Sequence, residues 1–121
     1  MNGTLTYDFC ELDLYPRYAV LRVFENVFFD YSKANILRQK FEEVFKNEDF
    51  VLITDRSRAH DIDLAIYKGR RLKNMKGLAV VSPNPLERNR AMEEQALFDH
   101  SFAFFEKLDD AMHWASAFFR S

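Results

Sequence analysis

The apolar residues of this chain occur in short runs and helical stripes that predict alternating strands and helices. Residues 5–14 alternate like a strand, although the apolar face changes near Cys10, which suggests a β-bulge or a strand covered on different sides along its length. A turn around Pro16 follows, and the nearly all-apolar residues 18–24 are then typical of an interior strand covered on both faces. The other predicted strands are Phe50–Asp55, residues 77–82 and residues 102–105.

Helical spacing predicts a first helix capped by Asp30 or Ser32 and a last helix near the end of the chain. In each helix the apolar residues recur every three or four positions, as one buried face requires. The two stripes are Ala34, Leu37, Phe41, Val44 and Phe45, and Leu108, Ala111, Met112, Ala115, Phe118 and Phe119.

Two further helices are predicted between these. Residues 62–72 fit a strand as well as a helix, and an N-cap at Asp61 or Asp63 favours the helix. Asn84 is the predicted cap of the next helix, with Pro85 at its first position and an end near residue 97. The element order is therefore ββαβαβαβα, which predicts one α/β domain over residues 1–121 whose mixed sheet has about five strands and about four helices.

The composition indicates a large hydrophobic core and excludes several classes of protein. Nineteen of the 121 residues are Phe, Tyr or Trp, whereas no apolar run approaches the length of a membrane span. The N-terminus has no secretory pattern, and the lone Cys10 cannot form an internal disulfide, so a cytoplasmic protein is expected. A net charge of −2 argues against a nucleic-acid partner.

Three stretches carry a resemblance to a known family: Phe50–Asp55, residues 77–82 and residues 102–114. In wording and order they resemble the SpoIIAA-like proteins of the STAS superfamily, an uncharacterised bacterial branch of the anti-sigma-factor antagonists. The resemblance implies a SpoIIAA-like, STAS-type fold. It also implies phosphorylation of Ser57 by a partner kinase, because Ser57 follows Asp55 by two residues as in the antagonists. Related folds, including the CRAL-TRIO type, are linked to hydrophobic ligands or membrane surfaces.

The residues themselves suggest two polar features with alternative interpretations. Arg56 and Arg58 lie in a charged loop after a predicted strand and could grip a phosphate or carboxylate, or belong to an ordinary exposed loop. A basic stretch with five basic residues in nine could contact an acidic partner, a phosphorylated ligand or an anionic membrane surface, or form a solvated helix end. Its members are Lys68, Arg70, Arg71, Lys73 and Lys76.

An aromatic cluster precedes the first helix. Phe24, Phe28, Phe29 and Tyr31 lie within eight residues, and could cover a hydrophobic pocket, dip into a membrane interface or belong to the core. Which of Phe28 and Phe29 is buried stays open at the level of sequence.

Catalytic and metal-binding patterns are sparse. The three His residues share no metal-ligand spacing, and adjacent acidic pairs such as Glu93-Glu94 are typical of exposed helix faces. The sequence therefore predicts a non-enzymatic binding or regulatory module without a cofactor. The leading hypothesis is a small hydrophobic or amphipathic ligand with peripheral contact at the inner membrane surface. The alternative is a protein-interaction switch phosphorylated at Ser57, and a homodimer is left open.

Overall fold

The computed structural model describes residues 3–58, 60–68 and 72–120, which form eight strands, three α-helices and one 3-10 helix. The strands are β1 (Gly3–Thr6), β2 (Cys10–Tyr15), β3 (Tyr18–Val23), β4 (Phe28–Phe29), β5 (Phe50–Asp55), β6 (Asp61–Ile62), β7 (Met75–Val81) and β8 (Ser101–Phe105). The α-helices are α1 (Tyr31–Phe45), α2 (Pro85–Gln95) and α3 (Leu108–Ala117), and the 3-10 helix is Leu64–Lys68.

Six of the strands form one mixed sheet in the order β1-β2-β3-β5-β7-β8. The β1-β2 and β2-β3 pairs are antiparallel, whereas β3, β5, β7 and β8 run parallel to one another. The short strands β4 and β6 form a separate parallel pair. Because four neighbouring strands are parallel, their carboxyl ends meet at one edge of the sheet, where ligand sites of such sheets usually lie.

The predicted single strand over residues 5–14 is wrong. It is divided into β1 and β2 by a turn in which the N–H of Tyr7 donates to the carbonyl of Cys10 at 2.8 Å. The two strands then pair, with Leu5 opposite Leu12. The change of apolar face near Cys10 therefore reflects a change of strand and not a bulge.

The helix predicted to start near Asp61 or Asp63 is not an α-helix in the structure. The N–H groups of Asp61 and Asp63 donate to the carbonyls of Val27 and Phe29, so tertiary pairing holds this segment extended as β6. The Asp63 carboxylate then accepts from the N–H of Ala65 at 2.9 Å and starts only a 3-10 helix. The predicted helix is thus replaced by the two-residue strand β6 and the 3-10 helix Leu64–Lys68, and its residues 69–71 lie outside the described residues.

Other local predictions are confirmed. Asp30 caps α1 by accepting from the N–H of Lys33, and Asn84 caps α2 by accepting from Leu86, with Pro85 at the first position. The predicted strand Phe50–Asp55 is β5, and all six of its residues are buried. These elements follow from short-range signals that need no distant partner.

Each face of the sheet is covered by a different helix. On one face α1 packs through Leu37, Phe41 and Phe45, and the ring of Phe45 stacks on Phe50 with 4.2 Å between centroids. On the other face α3 packs through Ala111 and Ala115.

Gly77 in β7 allows α3 to approach this second face closely. A Cβ atom at Gly77 would lie 2.8 Å from Val51 Cγ1, nearer than such atoms pack, and 3.0 Å from Trp114 Cη2. A larger residue at this position would therefore force Val51 and the side chains of α3 to shift.

Candidate ligand-binding cavity

A cavity of about 250 Å³ lies between α1 and the face of the sheet that α1 covers. The sheet, α1, the segment around the 3-10 helix and the turn before β8 each contribute a wall. The apolar side chains of these walls are Leu21, Val23, Phe29, Ala34, Leu37, Phe41, Leu52, Ile62, Ile66, Leu72, Met75, Leu78 and Phe98. The space is therefore suited to the apolar part of a small molecule.

Arg56 lies at one end of this cavity, directly after β5. Its backbone N–H donates to the carbonyl of Val81 at 2.8 Å and so continues the parallel pairing with β7. Its side chain is only 5% exposed. The two terminal nitrogens of the guanidinium bond to both carboxylate oxygens of Glu94 on α2. A third group, the hydroxyl of Tyr67, donates to Glu94 Oε1.

Arg56, Tyr67 and Glu94 form a buried cluster, and their contacts with one another shift the pKa values of Arg56 and Tyr67. Burial acts to lower the pKa of Arg56, but the hydrogen bonds and charge of Glu94 outweigh it and leave that pKa above its ordinary value. Burial and the charge of Glu94 raise the pKa of Tyr67, so its hydroxyl stays protonated. The cluster holds one positive and one negative charge in a shared hydrogen-bond network, as buried charges require.

His60 lies beside this cluster and is buried as well. Burial, together with the charges of Arg56 and Arg90, lowers the pKa of His60 below its ordinary value, so the ring is neutral at neutral pH. Its Nδ1 lies 3.2 Å from the carbonyl oxygen of Arg58. Because a carbonyl only accepts, Nδ1 carries the proton, and Nε2 is left as an acceptor.

A second, polar pocket of about 410 Å³ lies at the carboxyl edge of the sheet. Arg56 and His60 line both this pocket and the apolar cavity, so they form the wall between the two spaces. The pocket's other polar residues are Asn26, Ser57, Asp61, Ser82, Asn84, Glu87 and Arg90.

The predicted ligand-binding residues divide between the cavity wall and the surface. Phe29 and Arg56 line the cavity. Phe29 is 7% exposed, whereas Phe28 is 51% exposed. Phe29 therefore belongs to the core, and Phe28 lies on the surface.

The remaining residues predicted to bind a ligand, Phe24, Phe28, Tyr31 and Arg58, do not line the cavity. Tyr31 is exposed, and the guanidinium of Arg58 lies 5.6 Å from the centroid of Phe24. Arg58 also lies 3.9 Å from a carboxylate oxygen of Glu11. Arg56 thus lies in the buried cavity wall, whereas Arg58 lies at the surface near Phe24 and Glu11.

Ser57 is exposed at the polar pocket. Its N–H donates to Asp55 Oδ1 at 3.1 Å, while the other oxygen of Asp55 pairs with Arg22 at 3.3 Å. The next described helix begins only at Leu64, so Ser57 lies in the loop that follows β5 and not at a helix start.

The basic stretch is described in part. Lys68 and Lys73 are exposed, Lys76 is half-buried, and Lys73 also lines the cavity. Arg70 and Arg71 lie outside the described residues.

Glu94 is the functional residue that sequence reasoning missed. It was expected on an exposed face together with Glu93, but its side chain is 0% exposed. Glu94 follows Ala91 by three residues and so lies on the same face of α2, and Ala91 is buried. That spacing was the available signal, since an apolar face that includes a carboxylate needs a buried cation opposite it.

The fold has a counterpart among solved structures. An uncharacterised protein of the DUF3478 family from Shewanella loihica, described as having a SpoIIAA-like fold, matches 95% of this chain and 92% of its own. The two superimpose with a TM-score of 0.60 at 16% sequence identity. The protein therefore has a SpoIIAA-like α/β fold, as the resemblance predicted, although the strand and helix counts differ. No family model matches the sequence, and neither does a curated protein.

None of the helices in residues 3–58, 60–68 and 72–120 is both long and apolar enough to cross a membrane. The same residues contain no group of three or more His, Cys, Asp or Glu side chains placed to hold a metal ion.

Proposed function

We propose that this protein is a non-enzymatic binding module whose cavity encloses the apolar body of a small hydrophobic or amphipathic ligand. The observation that carries the proposal is the cavity of about 250 Å³ beneath α1. Protein interiors are close-packed and leave few voids larger than a water molecule, so a space of this size is unusual in a small core. Its volume lies just below the usual range of ligand pockets, which favours a small or slender molecule.

A ligand in this space would also stabilise the fold. An apolar void leaves its lining atoms without contacts, and a molecule that fills it restores them. Because the ligand binds only the folded chain, the midpoint of thermal unfolding should rise with ligand concentration.

Filling the cavity with a side chain tests the proposal. Ala34 lies on α1 in the cavity wall, so Ala34→Phe should place a ring inside the cavity. We expect at least a tenfold loss of affinity for the neutral apolar dye N-phenyl-1-naphthylamine, measured by fluorescence titration, with an unchanged or higher melting temperature. Native mass spectrometry of freshly purified protein should also show a co-purified, lipid-like mass.

The matched control is Ala117→Phe, which adds the same ring to an exposed position at the end of α3. This variant should bind the dye like the unmodified protein. Equal dye affinity in Ala34→Phe and the unmodified protein would show that the dye binds elsewhere and would contradict the proposal.

Contact with a membrane surface is the second part of the proposal. Phe28 and Tyr31 are exposed, and they flank Phe29, which lines the cavity. Exposed aromatic side chains beside a ligand cavity, together with the cations Lys68 and Lys73, suit the boundary between lipid headgroups and acyl chains. A ligand could then exchange between membrane and cavity without crossing water.

The alternative function is a protein-interaction switch at Ser57. What supports it is the exposure of Ser57 at the polar pocket. Incubation with ATP and a bacterial cell extract, followed by peptide mass spectrometry, should then give phosphate on Ser57 and none in Ser57→Ala. Consistent absence of phosphate from the unmodified chain would exclude the switch, and it would leave the ligand proposal unaffected.

A further inference from the structure

Five polar residues of the cavity fall into two groups at opposite edges of the sheet, and Arg38 of α1, Thr54 of β5 and Tyr67 of the 3-10 helix line the cavity as well. Lys73 precedes β7, and Asp99 and His100 precede β8, so these three lie at the amino ends of parallel strands. Arg56 and His60 follow β5 and lie near its carboxyl end. A strand rises about 3.3 Å per residue, so the six residues of β5 separate the two groups by about 17 Å.

The two groups also differ in their access to water. Lys73, Asp99 and His100 are exposed and form the rim of the cavity, whereas Arg56 and His60 are buried and form its inner wall. An elongated molecule that enters past the rim would therefore reach the inner wall with its leading end.

The inner wall is polar but carries no net charge. The guanidinium of Arg56 is matched by the carboxylate of Glu94, and both carboxylate oxygens are engaged by Arg56. Tyr67 adds a further hydrogen bond to Glu94, and the neighbouring Arg90 is paired with Glu87 at 3.2 Å. An anion placed here would meet a cation that is already neutralised, and a cation would meet a carboxylate that is already bonded.

The same wall retains hydrogen-bonding capacity. The Nε–H of Arg56 is buried and has no hydrogen-bond partner among the described residues. His60 contributes an acceptor at Nε2, because its Nδ1 proton is directed to the carbonyl of Arg58. An uncharged group that both accepts and donates, such as a hydroxyl or a primary amide, matches this pair.

We infer that the ligand is an elongated neutral amphipath, whose hydroxyl or amide head group binds at Arg56 and His60 while its hydrocarbon chain extends towards the rim. The inference rests on the proposed function, since it assigns a chemical class and an orientation to the molecule in the same cavity. A site that leaves buried polar groups unpaired discriminates strongly against ligands that cannot pair them.

A series of probes with one chain length and different head groups tests this on the unmodified protein. We expect 1-decanol and decanamide, titrated by calorimetry below their solubility limits at neutral pH, to bind at least tenfold more tightly than decanoate or decylammonium. Decanoate binding as tightly as decanol would overturn the inference, because it would place the head group at the rim beside Lys73.

The outcomes separate this inference from the proposed function. If all four probes bind equally and Ala34→Phe abolishes binding of each, the cavity binds ligands but the head-group inference fails. If none of the probes binds and the apolar dye does not bind either, both fail.

A pair of histidine variants locates the head group. His60→Leu removes the acceptor of the inner wall and leaves the Arg56–Glu94 pair in place, so decanol affinity should fall about threefold to tenfold, the effect of one hydrogen bond. His113→Leu makes the same change at an exposed position on α3, which packs on the opposite face of the sheet, and should leave the affinity unchanged. A folded His60→Leu variant that binds decanol like the unmodified protein would overturn the orientation, and the head-group series remains decisive if His60→Leu does not fold.

Discussion

Glu94→Ala is expected to lower the free energy of unfolding by about 3–5 kcal/mol. The substitution leaves the guanidinium of Arg56, which is 5% exposed, without its anionic partner inside the protein. It also removes the acceptor of the Tyr67 hydroxyl. A buried charge without a partner is among the most destabilising single changes in a folded domain. The loss is therefore a large fraction of the free energy of unfolding of a small protein. Urea unfolding followed by circular dichroism measures the loss.

Two controls distinguish the buried pair from a general effect of changing α2. Glu93→Ala alters the adjacent, exposed carboxylate and should change stability by no more than about 0.5 kcal/mol. The double variant Arg56→Met with Glu94→Leu replaces the pair by apolar side chains and should be more stable than Glu94→Ala alone. A Glu94→Ala variant as stable as Glu93→Ala would mean that Arg56 is not held as described.

Phe29→Ala is expected to cost about 3–5 kcal/mol of stability, whereas Phe28→Ala should cost no more than about 0.5 kcal/mol. The two residues are neighbours in β4, but their side chains point to opposite sides of the strand. The ring of Phe29 packs near Phe9, with 6.4 Å between centroids, while that of Phe28 faces solvent. Thermal and urea unfolding of the two variants provides the comparison.

Phe28→Ala also tests the proposed membrane contact without the complication of unfolding. It should reduce co-sedimentation with vesicles of equal parts phosphatidylcholine and phosphatidylserine at low salt. Binding of the unmodified protein should weaken as salt rises, because salt screens the attraction of Lys68 and Lys73 to the anionic surface. If the unmodified chain shows no vesicle binding at low salt, the membrane contact is excluded, and the cavity proposal is unaffected.

Much of the fold could be predicted because its signals are local. An uninterrupted apolar run predicts β5, and Asn84 followed by Pro85 predicts the start of α2, since a cap and a fixed backbone angle act within a few residues. The failures involve distant partners. Asp61 and Asp63 have the pattern of helix caps, but backbone hydrogen bonds to Val27 and Phe29 hold Asp61 in the strand β6, and Asp63 starts only a 3-10 helix.

In the candidate site, too, local signals in the sequence indicate some residues, and contacts between distant residues decide the others. A charged loop after a buried strand and an aromatic run before a helix are visible in a linear pattern, and they suggest six candidates, of which only Arg56 and Phe29 line the cavity. Glu94 was assigned to the surface, since a pair of adjacent carboxylates on a helix is usually solvated. Its partner Arg56 lies 38 residues earlier, and no local pattern links the two.

The sequence by itself determined the α/β class, the buried strand β5, the cap of α2 and the resemblance to the SpoIIAA-like fold, and it narrowed the cap of α1 to Asp30 or Ser32. Only the tertiary structure decided that Phe29 is buried while Phe28 is exposed, and that α1 lies over an apolar cavity. It also decided that Arg56 and Glu94 meet at the end of that cavity. The reason is physical: propensity and capping act between near neighbours in the chain, whereas burial, ion pairing and cavities depend on which elements pack together.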